Sequence, residues 1–374
     1  MPPVAVAQAR ASCSCAIFDA AYTFRIPGPD HGEGGRYLVI REGDDPGIDT
    51  SDYFVYTSPT NAIYMLLRGF FPTVDDLAPG VASIEGITIR PLREGGKPLA
   101  YVHASEITAN ALFPSDGSFF DMLDRLIQSE REDTVDPYMH GVVAALGIRR
   151  GHPFAPSPAQ RELLDQAAKT AWRMAKTIAA DFDEQDKTLW WEDRRWIAHA
   201  RTEQDDFRRT LIDELFRDRE TLYTDVDAKA HMFINHFSIS TGMMPVKPGP
   251  GAKYCNAYKD SEGEYLRGEH TYKIELPADP PAVVLWSLTV YDAETASGVD
   301  AAGQTYPSLN SKDPVRPNED GTFTVHVGPE RPEGATNWLK TVPGRGWFGL
   351  LRWYGPKQEF FDRQYKPGDF ERLS

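Results

Sequence analysis

From Thr241 onward the chain is written as apolar runs of about five to eight residues cut apart by dense turn clusters, and this rhythm restricts the fold more than any other feature. The clusters PVKPGPG, DSEGE, PADPP, NEDG and VPGRG combine proline, which presets one backbone angle, with glycine and acids that favour tight reversals. Between them GEHTYKIELP, VVLWSLTVYD, GTFTVHVGP and GWFGLLRWYGP read as successive antiparallel strands, with Asp320-Gly321 as a hairpin turn. A jelly roll or related sandwich is the natural architecture for such a half.

A similar alternation occupies Ala16 to Ala104, where IFDAAYTFRI, RYLVIREG, YFVYT, ASIEGITIRPL and PLAYVHA read as sheet. The run NAIYMLLRGFF, from Asn61 to Phe71, fits a buried strand or a short helix and is read as a strand. After Pro114 the period changes, and SFFDMLDRLIQSERE places Phe119, Met122, Leu123 and Leu126 on one helical stripe. Ser157-Pro158-Ala159-Gln160 is a helix start: serine caps, proline fits the first turn and glutamine reaches back to the cap amide. That helix should run towards Asp181, and a second helical stretch, rich in charge pairs, is expected from Lys187 to Phe237. The fold class is therefore mainly β with a helical insert (α+β): an N-terminal β domain over 1–134, a helical linking segment over 135–240 and a C-terminal β-sandwich over 241–374.

At 374 residues the chain has room for two cores. A net charge of -15, with no basic cluster to offset it, repels phosphate backbones and argues against nucleic acid as a partner. No run approaches the roughly 20 apolar residues of a bilayer span. Cys13, Cys15 and Cys255 are an odd count, two of them in a start that reads as unstructured, and do not suggest a disulfide framework. The first twenty residues lack the charged and apolar regions of a secretory signal, and the chain carries no N-x-S/T sequon. Aromatic residues make up 11% of the chain, which suits core packing first and a small-molecule cleft second.

Gly344 to Gly349 matches G-x-G-x-x-G, but a strand follows where a dinucleotide site needs a helix, so a turn is expected. P-loop and G-x-S-x-G signals are absent. There is no H-E-x-x-H, and His231 and His236 point about 140° apart on a helix, so one helix cannot offer both to a metal. A site built from distant His103, His270 and a carboxylate stays open, though no metal or cofactor is called for. Cys255 reads as a small apolar residue.

The polar residues written into the second half carry the functional expectation. Alternation puts Ser287, Thr289 and Tyr291 on one face of their strand and Trp286, Leu288 and Val290 on the other. Arg352 and Tyr354 share a face of a later strand, and His270 and Tyr272 share one of an earlier strand. A wall of these groups would bind a polar organic molecule. His270 or Tyr291 would move a proton, and Arg352 would hold an anionic group with Tyr272, Ser287 and Thr289 beside it. Trp286 or Tyr354 would pack a ring. The plainer alternative makes this face the solvent side of a half-buried sheet. Asp260, Glu264, Asp292 and Glu294 are carboxylates whose place beside turns favours local hydrogen bonding.

The segment YKDSEGEYLRGEHTYKIELPADPPAVVLWSLTVYDAET resembles the family labelled by paired domains of unknown function, DUF1254 and DUF1214. The likeness continues through TYPSLNS, NEDGTFTVHVGPERPEG, NWLKTVPGRGWFGLLRWYGP and FFDRQYKPGDFE, and more loosely from about Cys15 to Thr134. Members usually begin with a longer N-terminal part, often behind a secretory signal, with an Asp-Thr-x-Tyr-Ser motif that this chain lacks, so a shortened member is expected. Leu266-Arg267-Gly268-Glu269 stands where relatives read Leu-Asp-Gly-Gly, and Thr295-Ala296-Ser297 where they often carry Thr-Arg-Ser. The resemblance implies two sandwich or jelly-roll-like domains with helices between, and no reaction. Two functions are carried forward. One is an enzyme acting on a small polar or carbohydrate-like molecule by metal-free hydrolysis or elimination. The other is a non-catalytic binding or envelope-associated module, and a homo-oligomer is compatible with either.

Overall fold

The computed structural model describes residues 5–10, 13–18, 34–58, 60–62, 64–69, 76–92, 112–133, 137–181, 189–198 and 251–373, with a few single positions between them. The chain divides into two compact units, Met1–Arg173 and Met174–Ser374, and is mainly β.

The first unit holds β1 (Ala5–Arg10), β2 (Cys13–Phe18), β3 (Gly34–Arg41), β4 (Phe54–Ser58), β5 (Tyr64–Gly69) and β6 (Thr88–Pro91). One sheet runs in the order β4-β3-β1-β6, and β2 pairs with β5. Within that sheet β3 has neighbours on both sides, and its run Tyr37-Leu38-Val39-Ile40 is buried at every position, as expected of a strand covered on both faces. Its pairing with β4 is parallel. The run from Asn61 settles as the strand β5, whereas ASIEG, expected as strand, falls mostly in a helix, α1 (Ala78–Glu85). The start is ordered as strand: Cys13 and Cys15 lie in β2 opposite Gly69 and Leu67. PLAYVHA lies almost entirely outside the described residues.

Helices α2 (Ser118–Ser129), α3 (Pro137–Ala145) and α4 (Pro158–Asp181) follow. The buried stripe of α2 is Phe119, Phe120, Leu123 and Ile127, packed with Ile148, Leu164 and Ala168, while Leu126 is exposed. The stripe is thus turned by about one residue from the expected one, because Phe120 rather than Met122 enters the cluster. At the start of α4 the Gln160 amide donates to Ser157 Oγ at 3.3 Å and the Ser157 amide to Gln160 Oε1 at 2.9 Å, the reciprocal cap read from the sequence.

The second unit holds β7 (Ile197–Ala198), β8 (Ala252–Ala257), β9 (Tyr272–Leu276), β10 (Ala282–Asp292), β11 (Ser308–Asn310), β12 (Phe323–Gly328), β13 (Asn337–Lys340), β14 (Trp347–Pro356), a short helix α5 (Gln358–Phe361) and β15 (Glu371–Arg372). Two sheets form, β11-β10-β14-β8-β7 and β13-β12-β9-β15. Trp286, Leu288, Val290, Leu351 and Trp353 of the first and Tyr272, Ile274, Val325 and Val327 of the second belong to one buried apolar cluster. Fully burying side chains of this kind contributes about 1.5–3 kcal/mol each. Phe370 takes the space a side chain would fill on β14: a Cβ at Gly349 would lie 2.6 Å from its ring.

Three expectations are corrected by the second unit. The four strands read from the sequence do not pair in succession: β9 and β12 lie in one sheet, β10 and β14 in the other, and β12 runs parallel to β13. Asp320-Gly321 therefore makes a turn, closed by the Asn318 amide on Thr322 O at 2.7 Å, but joins no hairpin, because β11 before it belongs to the other sheet. Residues 189–198, expected as helix, instead form turns and the strand β7. Trp190, Trp191 and Trp196 go into the core, and their indole N–H groups donate to the carbonyls of Phe360, Arg363 and Gly368. Burial of three large rings with satisfied N–H groups overrides the helical charge pattern. Val226, Ala230 and Ile234 are helical, and the remainder of the stretch to Phe237 lies outside the described residues.

Candidate functional site

The face of the five-stranded sheet turned away from the core follows from strand alternation. With Leu288 and Val290, Leu351 and Trp353, and Cys255 and Ala257 in the core, the opposite face carries Ser287, Thr289 and Tyr291 of β10, Leu350, Arg352 and Tyr354 of β14, and Tyr254 and Asn256 of β8. Register sorts these into rows: Tyr291 beside Phe348; Ser308, Thr289, Leu350, Asn256 and Ile197 across five strands; and Ser287, Arg352 and Tyr254.

Arg352 crosses between the rows. One terminal nitrogen, Nη1, donates to Thr289 Oγ1 at 2.8 Å and the other, Nη2, donates to the Tyr291 hydroxyl. Thr289 also bonds Ser308 Oγ at 3.0 Å. The guanidinium lies 5.4 Å from the Tyr291 ring centre and 5.8 Å from that of Tyr254. Half-buried, it makes no ion pair with a carboxylate among the described residues. A guanidinium has five donors, and among the described residues the two bonds to hydroxyls leave its charge unneutralised and other donors free. Beside it Tyr291, Phe348 and Tyr258 form a run of stacked rings, with centroids 5.3 and 4.8 Å apart. Leu189 and Ile197 pack against that run.

Other residues singled out from the sequence lie elsewhere. Trp286 is in the core against Phe323, with ring centres 5.2 Å apart. Tyr272 is in the core edge-on to Trp347. Its hydroxyl accepts from the Arg267 amide at 3.1 Å, and burial pushes its ionisation above the ordinary range. His270 is half-buried just before β9, 6.4 Å from the Tyr272 ring centre, on the four-stranded side of the unit. The structure thus brings Tyr291, Thr289 and Arg352 together, puts Ser287 and Tyr354 on their face, and leaves His270, Tyr272 and Trp286 apart. His103, His231 and His236 lie outside the described residues.

Of the carboxylates expected to serve turns, Asp260 and Asp292 do so. Asp260 accepts from the Glu262 and Glu264 amides, both at 3.0 Å. Asp292 accepts from the Glu294 and Thr295 amides and from Arg345 Nε at 2.7 Å. Burial alone would raise the Asp292 carboxyl, but the Thr295 amide and the Arg345 guanidinium outweigh it and hold it below the ordinary range. Gly344, at φ 77°, starts an exposed turn that leads into β14, so its G-x-G-x-x-G run meets a strand and no helix. Cys255 is fully buried and burial pushes its thiol up, which suits the apolar role.

In the first unit a cavity of about 520 Å³ opens at the starts of α2 and α4, lined by Asp116, Asp121, Arg161, Glu162 and Asp165. Two of its acids are already in ion pairs, Asp121 with Arg161 at 2.8 Å and Asp165 with Lys169 at 2.6 Å. It lies in a different unit from Arg352. Among the described residues no three His, Cys, Asp or Glu side chains stand close enough to hold a metal, and no helix is long and apolar enough to cross a membrane. Asn256, Tyr254 and Ser308 were not singled out from the sequence. Only the cross-strand register reveals them, since their own segments carry no motif.

Against known proteins, the chain matches the protein of unknown function DUF1254 over residues 4–91 and the protein of unknown function DUF1214 over residues 251–358. No curated protein matches it. Among solved structures it is similar to a Vibrio parahaemolyticus protein at 15% identity, over 99% of this chain and 85% of that one, with a TM-score of 0.54. An uncharacterised Burkholderia cenocepacia protein matches at 12% identity over 100% and 73%, with a TM-score of 0.42. At such identities the Vibrio likeness speaks for the fold alone.

Proposed function

The chain belongs to the family that pairs the DUF1254 and DUF1214 domains, and we propose that its second unit binds a small anionic, hydroxylated molecule over the outer face of the five-stranded sheet. The reading rests on one observation: Arg352 is half-buried, anchored by the hydroxyls of Tyr291 and Thr289, and faces no carboxylate among the described residues. A fixed guanidinium with free donors recognises a carboxylate or a similar oxyanion in a bidentate way. Tyr291 is the group placed to exchange a proton with such a ligand, so hydrolysis or elimination without a metal is the enzymatic form of the proposal. In the same reading the domains run over 1–134, 135–240 and 241–374, the middle being a helical link, and the last closes as a β-sandwich of jelly-roll type.

A second reading is a binding module without turnover, and the position of His270 favours it. An acid–base pair made of His270 and Tyr291 would need both on one face, and His270 belongs with the Tyr272 side of the unit. Calorimetric titration of the full chain with small carboxylates, with Arg352→Gln and Tyr291→Phe beside it, tests the anion site. Loss of one hydrogen bond to a charged group weakens binding by about 10- to 100-fold, so Arg352→Gln should fall by that factor or more while keeping its fold. Equal affinity in Arg352→Gln sinks the site. Turnover abolished in Tyr291→Phe with binding intact decides for the enzyme.

A further inference from the structure

In the row next to Arg352, Thr289, Leu350, Asn256 and Ile197 lie side by side across four strands. Asn256 is 3% exposed, and its Oδ1 has no hydrogen-bond partner among the described residues. Its cross-strand neighbours are the aliphatic side chains of Leu350 and Ile197. A buried amide oxygen left unpaired is unfavourable until a donor, from a water or a ligand, reaches it, which is why such atoms are rare in native proteins. The oxygen belongs to the same sheet face as the Arg352 guanidinium.

We propose that Asn256 Oδ1 is the second attachment point of the ligand held by Arg352, and that the ligand is a short hydroxy acid with its carboxylate on Arg352 and its hydroxyl on Asn256. This rests on the anion-binding reading and adds to it the class of molecule. Thr289, where the guanidinium is anchored, and Asn256 are two strand spacings apart, about 10 Å. Allowing about 3 Å at each end for a hydrogen bond leaves roughly 4 Å between a carboxylate oxygen and the donor atom, the span of an acid hydroxylated on its β or γ carbon. Leu350 lies between the two anchors and would meet the ligand's carbons. An ammonium in place of the hydroxyl would share a low-dielectric face with a guanidinium, and that repulsion selects the neutral donor.

Titration calorimetry with butyrate, 3-hydroxybutyrate, 4-hydroxybutyrate and 3-aminobutyrate tests this on the full chain. Wild type should bind a hydroxy acid about tenfold or more tighter than butyrate, with the amino acid no better than butyrate. In Asn256→Leu the hydroxy acids should fall to the butyrate level while butyrate itself is unchanged. If wild type binds butyrate and the hydroxy acids equally, and Arg352→Gln loses both, the second attachment point is wrong and the anion site stands. If wild type binds none of these acids, the anion site fails and this inference fails with it. The wild-type comparison decides even where Asn256→Leu does not fold.

Discussion

Replacing Lys253 by methionine should stabilise the second unit at neutral pH, although it removes a charge. Lys253 lies on the core face of β8 beside Cys255, is 5% exposed, and holds its Nζ 5.6 Å from the ring centres of both Trp190 and Phe361. No carboxylate pairs with it among the described residues, and burial pulls its ionisation down from 10.5 to about 8. At about 1.4 kcal/mol for each pH unit, the shift amounts to roughly 3 kcal/mol against the charged form. Two cation–π contacts offset about 0.5–1 kcal/mol each, leaving a net penalty of about 2 kcal/mol. The unfolded chain keeps this proton up to about 10.5 and the folded one releases it near 8, so the penalty is complete below pH 8 and fades as pH rises to 10.5. Methionine matches the length of the stem and makes favourable sulfur–ring contacts. Urea unfolding followed by tryptophan fluorescence should therefore show Lys253→Met more stable by about 2 kcal/mol at pH 7, with the gap closing by pH 10.5. A variant less stable than wild type at pH 7, or a difference that ignores pH, refutes the reasoning.

Three further outcomes are expected. Cys255 should resist thiol reagents at pH 8 until the unit unfolds, since it is fully buried and its thiol is pushed up; rapid labelling of Cys255 in the folded chain, read by peptide mass spectrometry, would contradict this. Asp292→Asn should cost about 1–2 kcal/mol at pH 7, discounted because Arg345 is half exposed. The Asp292 carboxyl is held low, so its contribution is present above pH 4 and lost as pH falls through the folded value, and the two proteins should converge in acid unfolding curves. Gly349→Ala should destabilise by about 1–3 kcal/mol in urea unfolding, since a Cβ there would press on the Phe370 ring.

What the sequence discloses is local. The reciprocal cap at Ser157 and Gln160 and the alternation in Trp286 to Tyr291 are decided within a few residues, and both appear in the structure as read. Tyr291, Thr289 and Arg352 meet because β10 pairs with β14 over most of its length, and the alternation of each strand already pointed to the face. What depends on long-range pairing stays hidden. The charged stretch around Trp190 to Trp196 reads as helix until one knows that three indoles fill a core 170 residues away in sequence. The separation of His270 from Tyr291 arises because β9 and β10, neighbours in the chain, enter different sheets. Asn256 gains interest only from its place in the row beside Arg352.

The anion site proposed for the second unit is read most directly at the Arg352 guanidinium. Nuclear magnetic resonance of the arginine Nε–Hε groups in the full chain, with the Arg352 signal assigned by its loss in Arg352→Lys, reads that group directly during titration with a small hydroxy acid. A saturable shift of the Arg352 signal, ahead of those of the exposed arginines, is the predicted result. An Arg352 signal that stays still, or drifts only in step with surface arginines as salt rises, contradicts the claim.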